Sequence, residues 1–454
     1  MKHKIYPKYK DSGVQWIGEI PNEWDVRRLK SFIPFVLNGQ WGEESDENNG
    51  SYIVLRVADF GEFNFNLDKE LTRINVKNTN LKIYDGDLVI EKSGGGEKQL
   101  VGRVVQLKNS DKNEKYTYSN FIGKLILTNL IKSDFLNYYF SAFYSNRINY
   151  NYIKQTTGIQ NLDISLMMQN EYFGFPLDLK EQILISDFLD SKTSQLSQTI
   201  EADKKLIELL KEKRTALINH VVTKGLNPKA KMKDSGIEWI GEVPEGWEVK
   251  KIKQVSDVRI SNIDKKSEER EPDVLLCNYI DVYKNEFITS EINFMKATAS
   301  VEQIKKFTIK KDDVIITKDS EEPTDIAVPA LVMEDFKGVV CGYHLALIKP
   351  DKKYLCGGYL FRSFQSKKIN DQFVIEANGV TRFGISTYPI NNSFLIIPPK
   401  SEQIQISEYL DKATSKIDQT IKKIEEKIEI LEEYKKSLIH HVVTGKVDVR
   451  EAVA

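Results

Sequence analysis

The chain is written twice. Residues 11–24 read DSGVQWIGEIPNEW and residues 234–247 read DSGIEWIGEVPEGW, with nine of fourteen positions identical at an offset of 223. Four of the five tryptophans lie in these segments: Trp16, Trp24, Trp239 and Trp247. A second set recurs at an offset of 221. Glu181-Gln182-Ile183 matches Glu402-Gln403-Ile404, Leu189-Asp190 matches Leu410-Asp411, and His220–Thr223 matches His441–Thr444. Repeats kept in the same order restrict the fold to two copies of one architecture. Each copy is an opening segment, a middle and a closing segment.

The closing segments read as long helices. Leu196, Ile200, Asp203, Ile207, Leu210, Arg214, Leu217 and Val221 step by four and three, as do Ile417, Ile421, Ile424, Ile428, Leu431, Lys435, Leu438 and Val442. That seam buries one stripe against another helix. Gly225 and Gly445 mark the ends. A helix of about 40 residues would span about 60 Å. Such helices either oligomerise or pair antiparallel within one chain, and the long insert between them lets the chain fold back. Arg214 and Lys435 hold equivalent seam positions, where a basic head either snorkels to water or meets an acidic partner subunit.

The middles, 25–176 and 248–399, are not helical repeats. Leu88-Val89-Ile90, Leu100 to Leu107, Leu125-Ile126-Leu127, Val314-Ile315-Ile316 and Leu345 to Ile348 read as strands. Ser133 to Arg147, with Ser133 as N-cap, and Lys352 to Lys368 read as aromatic helices. The expected fold class is α+β, two mixed modules with two long antiparallel helices and an internal pseudo-twofold repeat. The expected boundaries are an opening segment 1–24, a module 25–176, a helix 177–225, an opening segment 226–247, a module 248–399, a helix 400–446 and a tail 447–454. The frame is kept twice while the inserts differ, as a frame holding two different readers would be.

Composition narrows the chemistry. Charged residues make up 29% and hydrophobic residues 41%, enough for real cores. The net charge of −1, from 65 basic and 66 acidic residues, leaves nucleic-acid binding to local patches. The absence of a long apolar run speaks against a membrane span. Cys277, Cys341 and Cys356 form no CxxC pair, and a reducing cytoplasm is the natural setting. No metal site is expected from the scattered histidines. P-loop, GxGxxG, HExxH, GxSxG and kinase motifs are absent, and Ile397-Pro398-Pro399 does not make a methyltransferase motif. Glu425-Glu426-Lys427 reads as a solvated helix face. Ser93-Gly94-Gly95-Gly96 can cradle a phosphate or simply turn the chain, and Lys318 to Glu322 replaces it without glycine in the second copy. Each middle ends in a Gly-centred polar segment, 156–162 and 377–383, bearing side chains that read base edges or grip phosphate.

These features together resemble the DNA specificity subunit of type I restriction-modification systems. The resemblance rests on the two tryptophan segments, GDLVIEKSGGGEKQLVGRV at 86–104, TTGIQNL at 156–162, the paired helices and HVVTGKVDVR at 441–450. It implies that each middle is a target-recognition domain reading one half of a split site in double-stranded DNA. It implies two modification subunits as partners, which bind S-adenosylmethionine and methylate adenine, with ATP-driven restriction subunits as an optional third component. The chain itself would be a non-catalytic cytoplasmic subunit without a cofactor. Lys92, Ser93, Lys98, Gln99, Gln160, Asn161, Lys318, Ser320, Thr381 and Arg382 are then the candidate DNA contacts. Trp16, Ile17, Trp24, Trp239, Ile240 and Trp247 are the candidate partner-docking residues. The other readings are a coiled-coil scaffold that binds no DNA, an enzyme whose motif is not recognised, and the specificity subunit of a system whose nuclease is fused to its methyltransferase.

Overall fold

A computed structural model describes residues 4–44, 52–68, 71–76, 78–96, 99–155, 158–265 and 268–451. The chain divides into two compact units, residues 1–203 with 426–454, and residues 204–425. Two long helices, Leu179–Lys224 and Lys400–Val443, begin in one unit and end in the other. Their 46 and 44 residues amount to roughly 65–70 Å each.

Within each unit the two helices run antiparallel. In the first unit Lys435 Nζ meets Ser197 Oγ at 2.7 Å and Lys427 Nζ meets Asp203 at 2.8 Å, so the numbering rises on one helix as it falls on the other. In the second, Arg214 Nε reaches Asp418 at 2.9 Å. Ile200, Ile207, Val221, Ile421, Ile424, Leu438 and Val442 are buried along the seam.

The seam cations correct the sequence expectation. Neither head snorkels to water, and neither needs a partner subunit. Lys435 is 6% exposed and bonds Glu62 of its own module. Arg214 bonds Glu286 of its module as well as Asp418. An acid within the unit supplies the partner that a buried cation requires.

The first module carries an antiparallel four-stranded sheet in the order Val104–Gln106, Leu88–Glu91, Ile122–Ile126, Phe35–Asn38. A second sheet pairs Tyr116–Tyr118 parallel with Tyr52–Leu55. The second module repeats the plan. Ser256–Ile260, Leu345–Pro350, Val314–Thr317, Pro329–Val332 and Phe287–Ile288 form one sheet, and Asp273–Cys277 pairs parallel with Val339–Cys341 in another. The apolar runs Leu88–Ile90 and Val314–Ile316 are central strands buried on both faces.

Three local expectations change. Of Leu100 to Leu107, only Val104–Gln106 is strand. The first aromatic helix is Ser133–Ser145, and Ser133 lies inside it, its hydroxyl accepting from Gln106 Nε2 at 3.0 Å instead of capping. The second is two helices, Gly357–Gln365 and Lys367–Glu376, broken at Ser366, whose extended backbone (φ −71°, ψ 122°) separates them.

The repeated motifs act as internal joints. Trp24 Nε1 donates to Glu181 at 3.0 Å, and Trp247 Nε1 to Glu402 at 2.9 Å. Gln182 is buried at the start of its helix, accepting from Lys132 N and donating to the carbonyls of Leu130 and Pro176. Gln403 does the same with Cys356 N and the carbonyls of Tyr354 and Pro398. Beyond each helix, Gly225 (φ +76°) and Gly445 (φ +74°) take the left-handed turn that ends it. Each glycine lies against the matching ring. A Cβ at 225 would lie 3.0 Å from Trp247, and one at 445 would lie 2.3 Å from Pro21 and 3.3 Å from Trp24.

Burial therefore corrects the docking expectation for Trp24, Trp247, Ile17 and Ile240. All four are core side chains of their own units and cannot face a partner while those cores are intact. Trp16 is half-buried, its ring edge-on to Tyr139 at 5.3 Å and Phe143 at 5.9 Å. Trp239, 39% exposed, is the one that faces outward.

Candidate nucleic-acid interface

In each module the central strand runs out onto a lysine. Leu88–Glu91 gives way to Lys92, and the next residues, Ser93–Gly94, pair with Gln160–Leu162. Val314–Thr317 gives way to Lys318, and Asp319–Ser320 pair with Phe383–Gly384. The same backbone bonds hold both junctions. Lys92 N donates to Phe121 O (2.8 Å) and Lys318 N to His344 O (3.1 Å), while Leu162 N donates to Lys92 O (2.9 Å) and Ile385 N to Lys318 O (2.8 Å). The fold thus brings together, in both modules, the two polar segments that stand apart in the sequence.

The side chains at the two edges differ. In the first module Lys92 Nζ donates to Asn38 Oδ1 at 2.6 Å, and partial burial lowers its pKa. Ser93 Oγ donates to the exposed Asn161 Oδ1 at 2.6 Å. Glu91, buried beneath, has its carboxyl pushed up by desolvation, against which the Arg103 guanidinium at 3.2 Å acts. Gln99 is exposed, and Lys98 with Thr156 and Thr157 lies outside the described residues. In the second module Arg382 Nε and Nη2 donate to Asp319 Oδ1 at 3.1 and 2.6 Å. His344 Nδ1 lies 2.8 Å from Asp319 Oδ1, 3.0 Å from Asp319 Oδ2 and 3.2 Å from Arg382 Nη2. Lys318 Nζ sits 4.5 Å over the Tyr343 ring. Thr381, Glu321 and Glu322 are exposed.

Two candidates are occupied with holding the surface. Gln160 is buried, its Oε1 accepting from Val101 N at 3.1 Å and its Nε2 donating to Gly96 O at 3.3 Å. Ser320 is buried, its hydroxyl accepting from Tyr279 OH and Glu322 N. Neither presents a free polar atom to a base edge, which corrects their assignment. The glycine run reads as a turn. Gly96 N already donates to Gln99 O at 2.8 Å, and a Cβ on Gly95 (φ +66°) would lie 2.8 Å from both Gln99 O and Val101 N. Asn38, at the end of its strand, and the turn residues Phe121, Tyr343 and His344 flank the lysines unforeseen, because strand ends and short turns carry no periodic signal.

The family described as "Type I restriction modification DNA specificity domain" matches residues 21–211 and 244–430, more than half of the chain. The chain belongs to this family. The type I restriction enzyme MjaVIII specificity subunit of Methanocaldococcus jannaschii is 25% identical over 453 residues, covering 95% of this chain and 94% of that one. A putative type I restriction enzyme MjaX specificity subunit of the same organism is 22% identical, covering 96% of each chain. Two solved structures share the fold. One, from work on complex assembly and conformational transition of the type I R-M system, has a TM-score of 0.68 at 12% identity, covering 93% of this chain and 98% of that one. The other, the HsdS subunit from Thermoanaerobacter tengcongensis, has a TM-score of 0.54 at 13% identity, covering 94% and 98%. This type I specificity subunit therefore serves DNA recognition, and its two family matches fall on the two halves of the repeat. Among its described residues no helix is long and apolar enough to cross a membrane.

Proposed function

We propose that this chain is the non-catalytic reader of a type I restriction-modification complex, with each module reading one half of a bipartite site. The observation that carries this is the recurrence of one strand pairing beside a lysine, with Ser93 bonded to Asn161 in the first module and Asp319 bonded to Arg382 in the second. One backbone with two side-chain sets suits two different half-sites. Lysines at the base would grip phosphate, and the variable side chains would read base edges.

Two modification subunits would dock on equal patches, as a duplicated frame allows. The exposed equivalents Ile183 and Ile404, with Trp239, are the apolar residues that fit this role. S-adenosylmethionine and methyl transfer would belong to those partners, and restriction subunits would add to the same cytoplasmic complex. The test exchanges residues 25–176 for another member's module and sequences methylated adenines in cells carrying the complex. One half-site should change while the other stays. A change in both halves, in neither, or methylation by the purified chain alone would refute the proposal. The co-purified complex should have the mass of two modification subunits per chain.

A further inference from the structure

The Arg382–Asp319 pair has the geometry of a braced base reader. Asp319 is held in place by its own strand pairing with Gly384, and its side chain is 15% exposed. It accepts from the Nε–Nη2 edge of the guanidinium. His344 Nδ1 lies 3.2 Å from Nη2; in the tautomer that donates Nδ1–H to Asp319 it leaves Nη1 and the second Nη2 hydrogen, whose two parallel donors match guanine O6 and N7. Arg382 itself is 54% exposed at the side chain, and among the described residues Nη1 has no partner. His344 Nδ1 lies 2.8 Å from Asp319 Oδ1 and 3.0 Å from Oδ2, and Lys318 Nζ lies 3.8 Å from Oδ2, so each oxygen of the carboxylate has a further neighbour. A braced arginine loses less rotamer freedom when it meets a base. In the first module Ser93, the equivalent of Asp319, bonds instead to Asn161, which pairs with it in the place that Gly384 takes in the second.

We infer that Arg382 reads one guanine in the half-site of the second module and that Asp319 is its positioning residue. This rests on the proposed function above, because it requires the second module to read a half-site. Asp319 makes the reader selective at a cost in affinity, because a carboxylate beside DNA opposes phosphate. Its removal should therefore loosen specificity while strengthening nonspecific binding.

The test uses the full chain assembled with its modification subunits. DNA is randomised across the half-site that persists when residues 25–176 are exchanged. Methylation is then scored at every position. R382A and R382K should each lose guanine preference at one position by about 10- to 100-fold, because lysine lacks the two-pronged edge. D319A should relax the same position by a smaller factor, with nonspecific affinity raised and the first half-site untouched. The inference is overturned if the half-site contains no guanine. It is overturned equally if R382K keeps full selectivity, if D319A acts at a different position, or if both variants erase the whole half-site together. If no half-site follows residues 248–399 in the unaltered complex, it is the proposed function that fails.

Discussion

Buried polar side chains carry much of the chain's local order, and two of them make measurable predictions. Glu91 lies beneath the first module's edge with its carboxyl raised by burial, although Arg103 opposes the shift. A carboxyl with a raised folded-state pKa binds more protons folded than unfolded, between that pKa and the ordinary carboxylate value. Its contribution to stability therefore grows as pH falls through that window, opposite to the usual acid. Urea unfolding at several pH values should show the natural chain gaining on E91Q as the pH drops from neutral toward 4, and a flat difference would count against this account. Gln160 ties Val101 N and Gly96 O. Q160A should cost about 1–3 kcal/mol, as stranded buried polar groups do. It should weaken binding to all sequences alike, whereas a base reader relaxes one position.

At the scale of elements, the long helices were legible because period and repeat act along tens of residues. The seam from Leu196 to Val221 is buried or half-buried throughout. The joints were legible as repeats but not as joints. Glu181 and Trp24 recur as Glu402 and Trp247, yet recurrence reveals a repeated environment without telling an inner face from an outer one. The edges were legible only in part. The segments around Lys92 and Asn161 stood out, whereas Gln160 looks like any exposed glutamine until its strand pairing is known. The break at Ser366 has no proline or glycine to announce it. The helix ends give a graded prediction. G445A should destabilise the first unit by at least about 1–2 kcal/mol, because the left-handed turn disfavours Cβ and Pro21 stands in its way. G225A should cost less, since its Cβ would meet only the Trp247 ring edge at 3.0 Å. Unfolding of each unit, followed by separate probes, would check the order.

For the whole molecule, the same joint is made in two ways. In the second unit the helix end at Lys224 runs straight through Gly225 into the opening segment. In the first unit the helix end at Val443 meets an opening segment from the far end of the sequence. There Asp448 N donates to Lys4 O at 2.8 Å, Lys4 pairs with Glu451 at 2.6 Å, and Lys446 bonds Glu19. A circular permutant with the old ends linked and new ends opened in the exposed turn at Asn227–Lys229 should therefore fold and read both half-sites. Failure of its first unit to fold, seen by limited proteolysis, would show that the docked joint is not equivalent to the continuous one. The docked joint also sets a schedule. Val442, Val443, Val447 and Val449 complete the core around Ile17 and Trp24, and a ribosome adding roughly 5–20 residues per second reaches them roughly 20–80 s after the tryptophan. For that interval the first unit waits with an open wall, and the second, contiguous over residues 204–425, is completed only shortly before it, once Ile406 and Leu410 of its core have been made.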